Sequence, residues 1–426
     1  MELTDSEKAV LDGSEGIARQ KAMELIVKYG TALGAKRLVD TNNVCGQMVP
    51  ERGRYEAFAG DLDALYSRYG LDSDEVVQFP KVKAFTCQLE TPMDPDPEWL
   101  AAQGKDIVDH DHYLESEQWL SGRGIELMCT CTPYQVGNVP VKGEHCAWME
   151  SSAVVYINSV LGARTNCEGN ASAAASMLVG KTPYWGFHTE EHRIGTHLII
   201  IDTPIANFEE WGLLGYYVGN AVGDSVPVLD GVRVVPTRDE LKQFGAATAS
   251  SGGVEMYHIP GVTAEARSVD EALGGRKPLE VHHYGPVERR QTYTEINELG
   301  DNVNVDFIML GCPHYSIEQV EQVCTLLDGK HVRDGVNLWV FVPRALKDLA
   351  NRNGYTQIIK KAGGALMSDS CPALGHLMPK GTTVMATDSA KQAHYLPSIM
   401  GIEAWYGTTK ECIDAAINGR WEGELK

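Results

Sequence analysis

The chain has 426 residues, enough for two or three domains with a large buried core. Its hydrophobic content of 43% and charged content of 22% are typical of a globular protein. The net charge of -21 argues against nucleic acid or an anionic membrane surface as a partner. Because the sequence has no apolar run of about 18 residues and no signal-peptide pattern at its N-terminus, it predicts a cytoplasmic location.

The sequence contains ten cysteines and no Cys-x-x-Cys pair. This spacing excludes the commonest zinc and thioredoxin motifs, and disulfides are rare in the cytoplasm. Most of the cysteines are therefore expected to be buried small hydrophobic residues. Cys324 and Cys412 fit this interpretation best, because each lies on an apolar helical face.

The N-terminal part begins with a helical pattern at 17–29, for which Gly30 is the predicted end. The segment DTNNVCGQ at 40–47 is rich in turn-forming residues. It predicts either an ordinary turn or a ligand-binding loop, and the residues alone leave both open. Cys45 in this segment is interpreted as a buried thiol, with contact to a metal site as the alternative.

The stretch from Cys129 to Ala173 combines cysteines, carboxylates, an arginine and several amides with short apolar runs. Each buried polar group needs a partner, so a segment built only for core packing would contain fewer of them. Helices are predicted at 151–161 and 171–179. We interpret this stretch as a wall of an active site. The glycine-rich segment GNAVG at 219–223 lacks the context of a phosphate-binding loop and is interpreted as a turn.

The C-terminal third alternates strands with helices. Apolar runs predict strands at 305–310, 336–343, 364–369 and 383–387. Capped amphipathic patterns predict helices between them, at 316–328 and 344–353. Such alternation predicts an α/β fold with a mostly parallel sheet. In such sheets, ligands bind at the carboxyl ends of the strands.

Three cysteines occupy equivalent positions in this pattern. Cys131, Cys312 and Cys371 each follow a predicted strand and stand in or before an X-Pro turn, which restricts the backbone. The helix that follows Cys312 should also favour its thiolate form. Three converging thiolates would bind an iron-sulfur cluster or another soft metal with an open coordination position. Two alternatives remain open: three unrelated buried thiols, and a nucleophilic Cys312 paired with His314.

Several long segments in the same order resemble the aconitase X family. They include TCTPYQVGNVPVKGEHCAWMESSAVVYINSVLGARTNCEG, KTPYWGFHTEEHR, LGCPHYSIEQ and KAGGALMSDSCP. The resemblance covers nearly the whole chain. It implies an α/β, aconitase-like multi-domain core with mostly parallel sheets that lacks the family's small swivelling domain. The catalytic region would span 1–426, with parts at 1–180, 181–300 and 301–426.

The resemblance also implies a reaction. Members of the family are hydro-lyases that dehydrate cis-3-hydroxy-L-proline or mevalonate 5-phosphate. An iron-sulfur cluster or mononuclear iron would be held by Cys131, Cys312 and Cys371 and would act as a Lewis acid on the leaving hydroxyl. By the same resemblance, the base is a serine on the swivelling domain, which is a separate subunit in many members. Because this chain ends right after the catalytic region, a small-subunit partner is predicted.

Candidate site residues come mainly from the central stretch. Arg164 could hold a carboxylate with its fork of donors, and nearby amides and hydroxyls could position it. The predicted catalytic residues are Glu150, Ser151 and Arg164, and the predicted substrate-binding residues are Ser152, Asn158, Thr165, Asn166, Glu168 and Lys391. Helix capping is the alternative role for Glu150 and Ser151. His188 and Arg193 are weaker candidates, for which a structural role is as good an interpretation.

Two departures from the family pattern bear on the substrate. The 40–47 loop replaces a histidine and a Ser-Gly pair that many members have, and Asp388 stands where asparagine is usual. A small hydroxy acid such as cis-3-hydroxyproline is the first predicted substrate, and mevalonate 5-phosphate is the second. A phosphate should need more basic groups, and Arg164, Lys391 and Lys142 do not decide the matter. A non-catalytic subunit that holds a cluster or ligand is the alternative of another class.

Overall fold

The computed structural model describes residues 1–298 and 300–425. In its N-terminal part, short strands alternate with seven helices: α1 (Asp5–Leu11), α2 (Ile17–Ala32), β1 (Leu38–Asp40), β2 (Asn43–Cys45), α3 (Arg52–Ala57), α4 (Leu62–Leu71), β3 (Phe85–Cys87), α5 (Ile107–Gly122), β4 (Ile125–Glu126), β5 (Cys146–Trp148), α6 (Ser151–Tyr156), α7 (Asn170–Val179) and β6 (Lys181–Pro183). A π-helical turn, Ile157–Leu161, continues α6 and ends at Gly162 in the left-handed conformation.

The middle part contains β7 (His197–Ile201), α8 (Phe208–Val222), β8 (Pro227–Asp230), α9 (Arg238–Ser251), α10 (Val269–Ala272), β9 (Glu280–Tyr284) and α11 (Pro286–Ile296). The C-terminal part contains β10 (Phe307–Leu310), α12 (Ile317–Leu327), β11 (Asn337–Val342), α13 (Arg344–Arg352), α14 (Tyr355–Lys361), β12 (Ala365–Ser368), α15 (Pro372–Gly375), β13 (Val384–Thr387), α16 (Ala390–Met400), β14 (Glu403–Tyr406) and α17 (Thr409–Asn418).

Each of the three parts contains a parallel sheet. The strand orders are β4-β3-β2-β5, β8-β7-β9 and β12-β11-β10-β13-β14, and β1 pairs with β6 in a separate antiparallel ribbon. The mixed α/β architecture with mostly parallel sheets confirms the predicted fold class. Four of the five strands of the last sheet are almost entirely buried, which explains why continuous apolar runs identified them, whereas β14 alternates half-buried and buried residues and was not predicted.

The last sheet reverses its strand order beside β10. The chain passes from β10 outward to β11 and β12, then returns to place β13 on the other side of β10. In an open parallel sheet, this topological switch point leaves a crevice at the carboxyl ends of the strands. The first sheet reverses in the same way, with β5 beside β2. Both crevices are consequently candidate ligand sites.

Two glycine interpretations from the sequence are wrong. Helix α2 continues past Gly30 to Ala32, and Gly30 is buried where a Cβ would lie 2.8 Å from the Pro183 ring. The GNAVG segment is not a turn but the last part of α8. A Cβ at Gly219 would lie 2.7 Å from the carbonyl oxygen of Thr248, so this glycine allows α8 and α9 to pack closely. No described helix is long and apolar enough to cross a membrane.

Asp388 lies in the core of the C-terminal part, where it is 1% exposed. Its Oδ2 accepts hydrogen bonds from the hydroxyls of Tyr315 and Thr409, while its Oδ1 has no hydrogen-bond partner among the described residues. Burial raises the pKa of this carboxyl to about 6. The ionised form therefore costs stability at neutral pH.

Replacing this carboxyl with the amide usual in the family should stabilise the protein. A raised pKa means that Asp388 ionises at a lower pH in the unfolded chain than in the folded protein. The free-energy penalty of the buried carboxylate therefore grows from about pH 4 and is complete above pH 6. The Asp388→Asn variant should gain about 3 kcal/mol at pH 8 and only about 1 kcal/mol at pH 4.5, measured as the free energy of unfolding in urea. The exposed Asp334→Asn variant is the control, and an equal gain at both pH values would contradict the account.

Candidate active site

The carboxyl ends of the first and last sheets face each other across a cleft of about 240 Å³. The loops that follow β3, β4 and β5 contribute Glu90, Cys131 and Glu150 to one wall. Loops after β10 and β12, together with helix α16 after β13, contribute the opposite wall, which contains Cys312, Cys371 and Lys391. The two predicted crevices thus form one site.

The three cysteines predicted as metal ligands line this cleft. Cys131 and Cys312 are each 7% exposed, Cys371 is half-buried, and none forms a disulfide. Burial raises the pKa of all three thiols. For Cys312, burial outweighs the partial offset from Lys391, so its pKa lies above the usual value despite the helix that follows it.

His314 connects the three cysteine loops to one another. Its Nε2–H donates to the carbonyl oxygen of Ser370, which precedes Cys371, at 3.0 Å. Its Nδ1 lies 2.9 Å from the hydroxyl of Thr130, and its backbone N–H donates to Sγ of Cys131 at 3.3 Å. Since both ring nitrogens are engaged, His314 is unsuited to act as a base for Cys312. Burial lowers its pKa to about 4, which keeps the ring neutral.

A second group of buried charges stabilises the loops that carry the cysteines. Arg344 at the start of α13 donates from Nε to Asp369 at 2.6 Å and from Nη2 to Glu117 at 3.0 Å and Tyr113 at 2.8 Å. Cys129 lies in the same cluster. The guanidinium thus joins α5 to the segment that carries Cys371, and Glu117 accepts a hydrogen bond from Cys129 in the segment that carries Cys131. Because Arg344 forms ion pairs with both carboxyl groups, this cluster is explained without a metal ion.

Lys391 is the charged centre of the cleft. Its Nζ donates to Oε1 of Glu150 at 2.6 Å and to the hydroxyl of Ser152 at 3.0 Å. Burial alone would lower the pKa of Lys391, but Glu150 raises it well above its usual value. Burial alone would likewise raise the pKa of Glu150, and the interaction with Lys391 lowers it. Both groups are therefore charged at neutral pH.

Glu150 also accepts a hydrogen bond from the backbone N–H of Ser152 at 3.3 Å and so caps α6. Its two sequence interpretations, helix cap and site residue, are thus both compatible with its position. Ser151 occupies the first turn of the same helix and is not among the residues that line the cleft. Position alone favours Ser152 over Ser151 as a ligand-binding group.

Glu90 is a cleft residue that the sequence analysis missed. It is 3% exposed, and its Oε2 has no hydrogen-bond partner among the described residues. Burial and the nearby charge of Glu150 raise its pKa to about 8, so it is protonated at neutral pH. The sequence does contain a signal for it. Glu90 precedes Thr91-Pro92 just after β3, the same arrangement that Cys131-Thr132-Pro133 has after β4.

The other predicted substrate-binding residues lie outside the cleft. Arg164 donates to Glu190 at 2.5 Å and to the carbonyl oxygen of His188 at 3.1 Å, so its guanidinium is already occupied. The remaining four predicted side chains are buried. Asn158, Thr165 and Asn166 hydrogen-bond to one another's backbone and to backbone groups of 185–187 and 255, whereas Oε1 of Glu168 has no hydrogen-bond partner among the described residues.

Several weaker candidates also have structural partners. His188 is fully buried against His145, and Arg193 forms an ion pair with Glu265. Cys45 is fully buried and does not line the cleft, and Asp388 lies in the core described above. These positions agree with the structural interpretation of each residue.

The donors in the cleft fit an iron or iron-sulfur group. Three thiols are the soft ligands that such a group prefers, and metal binding would release the protons that burial keeps on them. No cation among the described residues other than Lys391 lines the cleft, so a positive metal centre would add to the offset of the Glu150 carboxylate. Apolar side chains around the thiols, including Met309, Leu374 and Ile399, limit access of water.

This arrangement of sheets and thiols belongs to a known class of enzyme. The chain matches the aconitase X first domain over residues 1–191, the second domain over residues 195–294 and the third domain over residues 305–418. It is a member of the aconitase X family and, with its relatives, a hydro-lyase.

The relatives are enzymes of two different names. The phosphomevalonate dehydratase large subunit of Methanocaldococcus jannaschii is 36% identical over 421 residues, which cover 97% of this chain and 99% of that protein. The cis-3-hydroxy-L-proline dehydratase of Hypocrea jecorina is 31% identical over 437 residues, which cover all of this chain and 70% of that protein. The holo-form crystal structure of Thermococcus kodakaraensis aconitase X is 32% identical, with a TM-score of 0.81 over 98% of this chain and 100% of that one.

The hydrogen bonds of His314 predict that this side chain stabilises the folded protein. Replacing it with alanine leaves the Ser370 carbonyl without its donor, removes one hydrogen bond of the Thr130 hydroxyl and opens a cavity. The His314→Ala variant should therefore lose about 3 kcal/mol of unfolding free energy. The exposed His331→Ala variant should change by less than about 0.5 kcal/mol. Equal stabilities of the two variants in urea denaturation would show that the bridge is unimportant.

Proposed function

We propose that this chain is the large, catalytic subunit of an iron-dependent hydro-lyase that dehydrates a small β-hydroxy carboxylic acid. The observation that carries the proposal is the convergence of Cys131, Cys312 and Cys371 beside the Lys391–Glu150 pair in one cleft. A bound iron centre would supply Lewis acidity toward the leaving hydroxyl. The dehydration reaction also requires substrate binding, exclusion of water and proton transfer.

We propose an iron-sulfur cluster rather than a single ion. The three Sγ atoms do not form a group in which all lie within 4.8 Å of one another. A single ion at the about 2.3 Å metal–sulfur distance of tetrahedral thiolate sites would need them closer together. A cluster spreads its thiolate ligands over several metal atoms and suits the wider spacing.

Residues of this chain can bind and orient the substrate. Lys391 and the Ser152 hydroxyl offer donors to a carboxylate, and Lys391 is already held in place by Glu150. Glu90 holds a proton at neutral pH and can donate a hydrogen bond to a substrate oxygen. These three groups lie on α16, on α6 and on the loop after β3, so they can contact different ends of a small molecule.

The base that removes the α-proton comes from a partner in this proposal. Among the described titratable groups of the cleft, Lys391 and Glu90 are protonated, and His314 has both nitrogens engaged. Glu150 is ionised but is paired with Lys391. A small subunit that closes over the cleft, as the large-subunit names of the relatives suggest, would complete the site with a serine base.

The charges in the cleft favour a substrate of the cis-3-hydroxy-L-proline type. The Lys391–Glu150 ion pair suits a zwitterion, because the substrate carboxylate can approach Lys391 while its amine approaches Glu150. A phosphate would meet a single cation that is already paired with Glu150. Mevalonate 5-phosphate is the second candidate, which the 36% identity to a phosphomevalonate dehydratase subunit supports.

The direct test is turnover by the complex of this chain with its small subunit, prepared without oxygen. We expect dehydration of cis-3-hydroxy-L-proline with kcat/KM at least about tenfold above that for mevalonate 5-phosphate. The reverse ratio would assign the phosphorylated substrate. An iron-loaded complex that turns over neither compound would support a non-catalytic subunit that holds a cluster or ligand.

Lys391 should be essential for this activity. The Lys391→Met variant keeps the stem of the side chain but removes the donor, and we expect kcat/KM to fall by about 10² to 10³. Exposed Lys330→Met is the matched control and should retain full activity. Iron content should be measured in both variants, so that lost substrate binding is distinguished from a lost metal centre. An active, iron-loaded Lys391→Met enzyme would contradict the assigned role.

A further inference from the structure

A second group of metal-binding side chains lies on the middle sheet, away from the cleft. His197, Glu280 and His282 each offer a ligand atom, and these atoms all lie within 4.8 Å of one another. None of the three lines the cleft. Two imidazoles and one carboxylate are a ligand set that proteins use for zinc and for other divalent transition metals.

The sheet itself places these side chains together. His197 is the first residue of β7 and is paired in register with Glu280, the first residue of β9. His282 follows two residues later on β9, so its side chain lies on the same face as that of Glu280. The convergence therefore depends on strand pairing rather than on flexible loops.

Two details of the hydrogen bonding leave ligand atoms available. The hydroxyl of Thr196 lies 2.9 Å from Nδ1 of His197, which orients the ring and leaves Nε2 for a metal. Nε2 of His282 lies 3.3 Å from Oε2 of Glu280, yet it is buried and has no hydrogen-bond partner among the described residues. A buried ring nitrogen without a hydrogen bond is unusual and points to a missing ligand.

The exposure of the group allows a metal ion to enter. The side chain of Glu280 is 63% exposed and that of His282 is 22% exposed, while His197 is nearly buried. Histidine and carboxylate ligands favour zinc-like ions over the iron-sulfur chemistry of the three thiols. The fourth position of a tetrahedral site would be open to water.

We propose that His197, Glu280 and His282 bind one divalent transition-metal ion of the zinc class. The ion would connect the edge strand β9 to the central strand β7 and stabilise the middle part of the fold. This site is independent of the iron centre, so neither proposal depends on the other.

The experiment is zinc titration by calorimetry on the full chain with Cys131, Cys312 and Cys371 replaced by serine, which removes the three thiols of the cleft, and with the exposed Cys167 replaced by serine as well. We expect one zinc ion per chain and a higher thermal unfolding midpoint with zinc. Loss of groups that only support metal ligands weakens binding about 10 to 100-fold, so His282→Ala and Glu280→Gln should weaken it at least about 100-fold. The neighbouring exposed His283→Ala is the matched control and should bind like its parent.

A second measurement covers the case in which the triple substitution impairs folding. Cobalt(II) added to the wild-type chain gives intense sulfur charge-transfer absorption only where thiolates bind it. One cobalt ion without that absorption, lost in His282→Ala and kept in His283→Ala, would support the proposal. Absence of a thiol-independent ion in the wild type, or equal binding by His282→Ala, would overturn it.

Discussion

The site depends on one buried, neutral imidazole. His314 contacts the segments that carry all three cysteines, through Thr130, Ser370 and the Cys131 sulfur. Its carbonyl oxygen also accepts hydrogen bonds from Gln135 at 2.9 Å and from Lys242 at 3.0 Å. The bonds of the imidazole join a loop that follows the first sheet to loops that follow the last sheet. The imidazole therefore fixes the relative position of two walls that come from distant parts of the chain.

The facing sheets explain why the cleft combines soft ligands with charged groups. Each parallel sheet directs its strand-end loops toward the other, and each reverses strand order where the ligand would lie. Helices α9 and α16 pack together and join the middle part to the last sheet. The Lys391–Glu150 pair then crosses the cleft itself and connects its two walls.

Much of the fold could be predicted from local sequence. Four strands of the last sheet are buried on both faces, so their apolar runs were clear, whereas the half-buried edge strand β14 was missed. The three cysteines shared a position at strand ends. The Lys391–Glu150 contact joins residues 241 positions apart and has no local signal. Arg164 looked free for a carboxylate because its partner, Glu190, lies in a different segment. Glu90 could have been found, since its Thr-Pro context repeats that of Cys131.

The most direct test of the central claim is the iron and acid-labile sulfide content of the anaerobically purified chain. The account predicts both elements in the wild type and in Cys167→Ser, which replaces an exposed cysteine outside the cleft. It predicts loss of iron in Cys131→Ser, Cys312→Ser and Cys371→Ser alike. A wild type that remains free of iron after anaerobic reconstitution with its small subunit would contradict the claim.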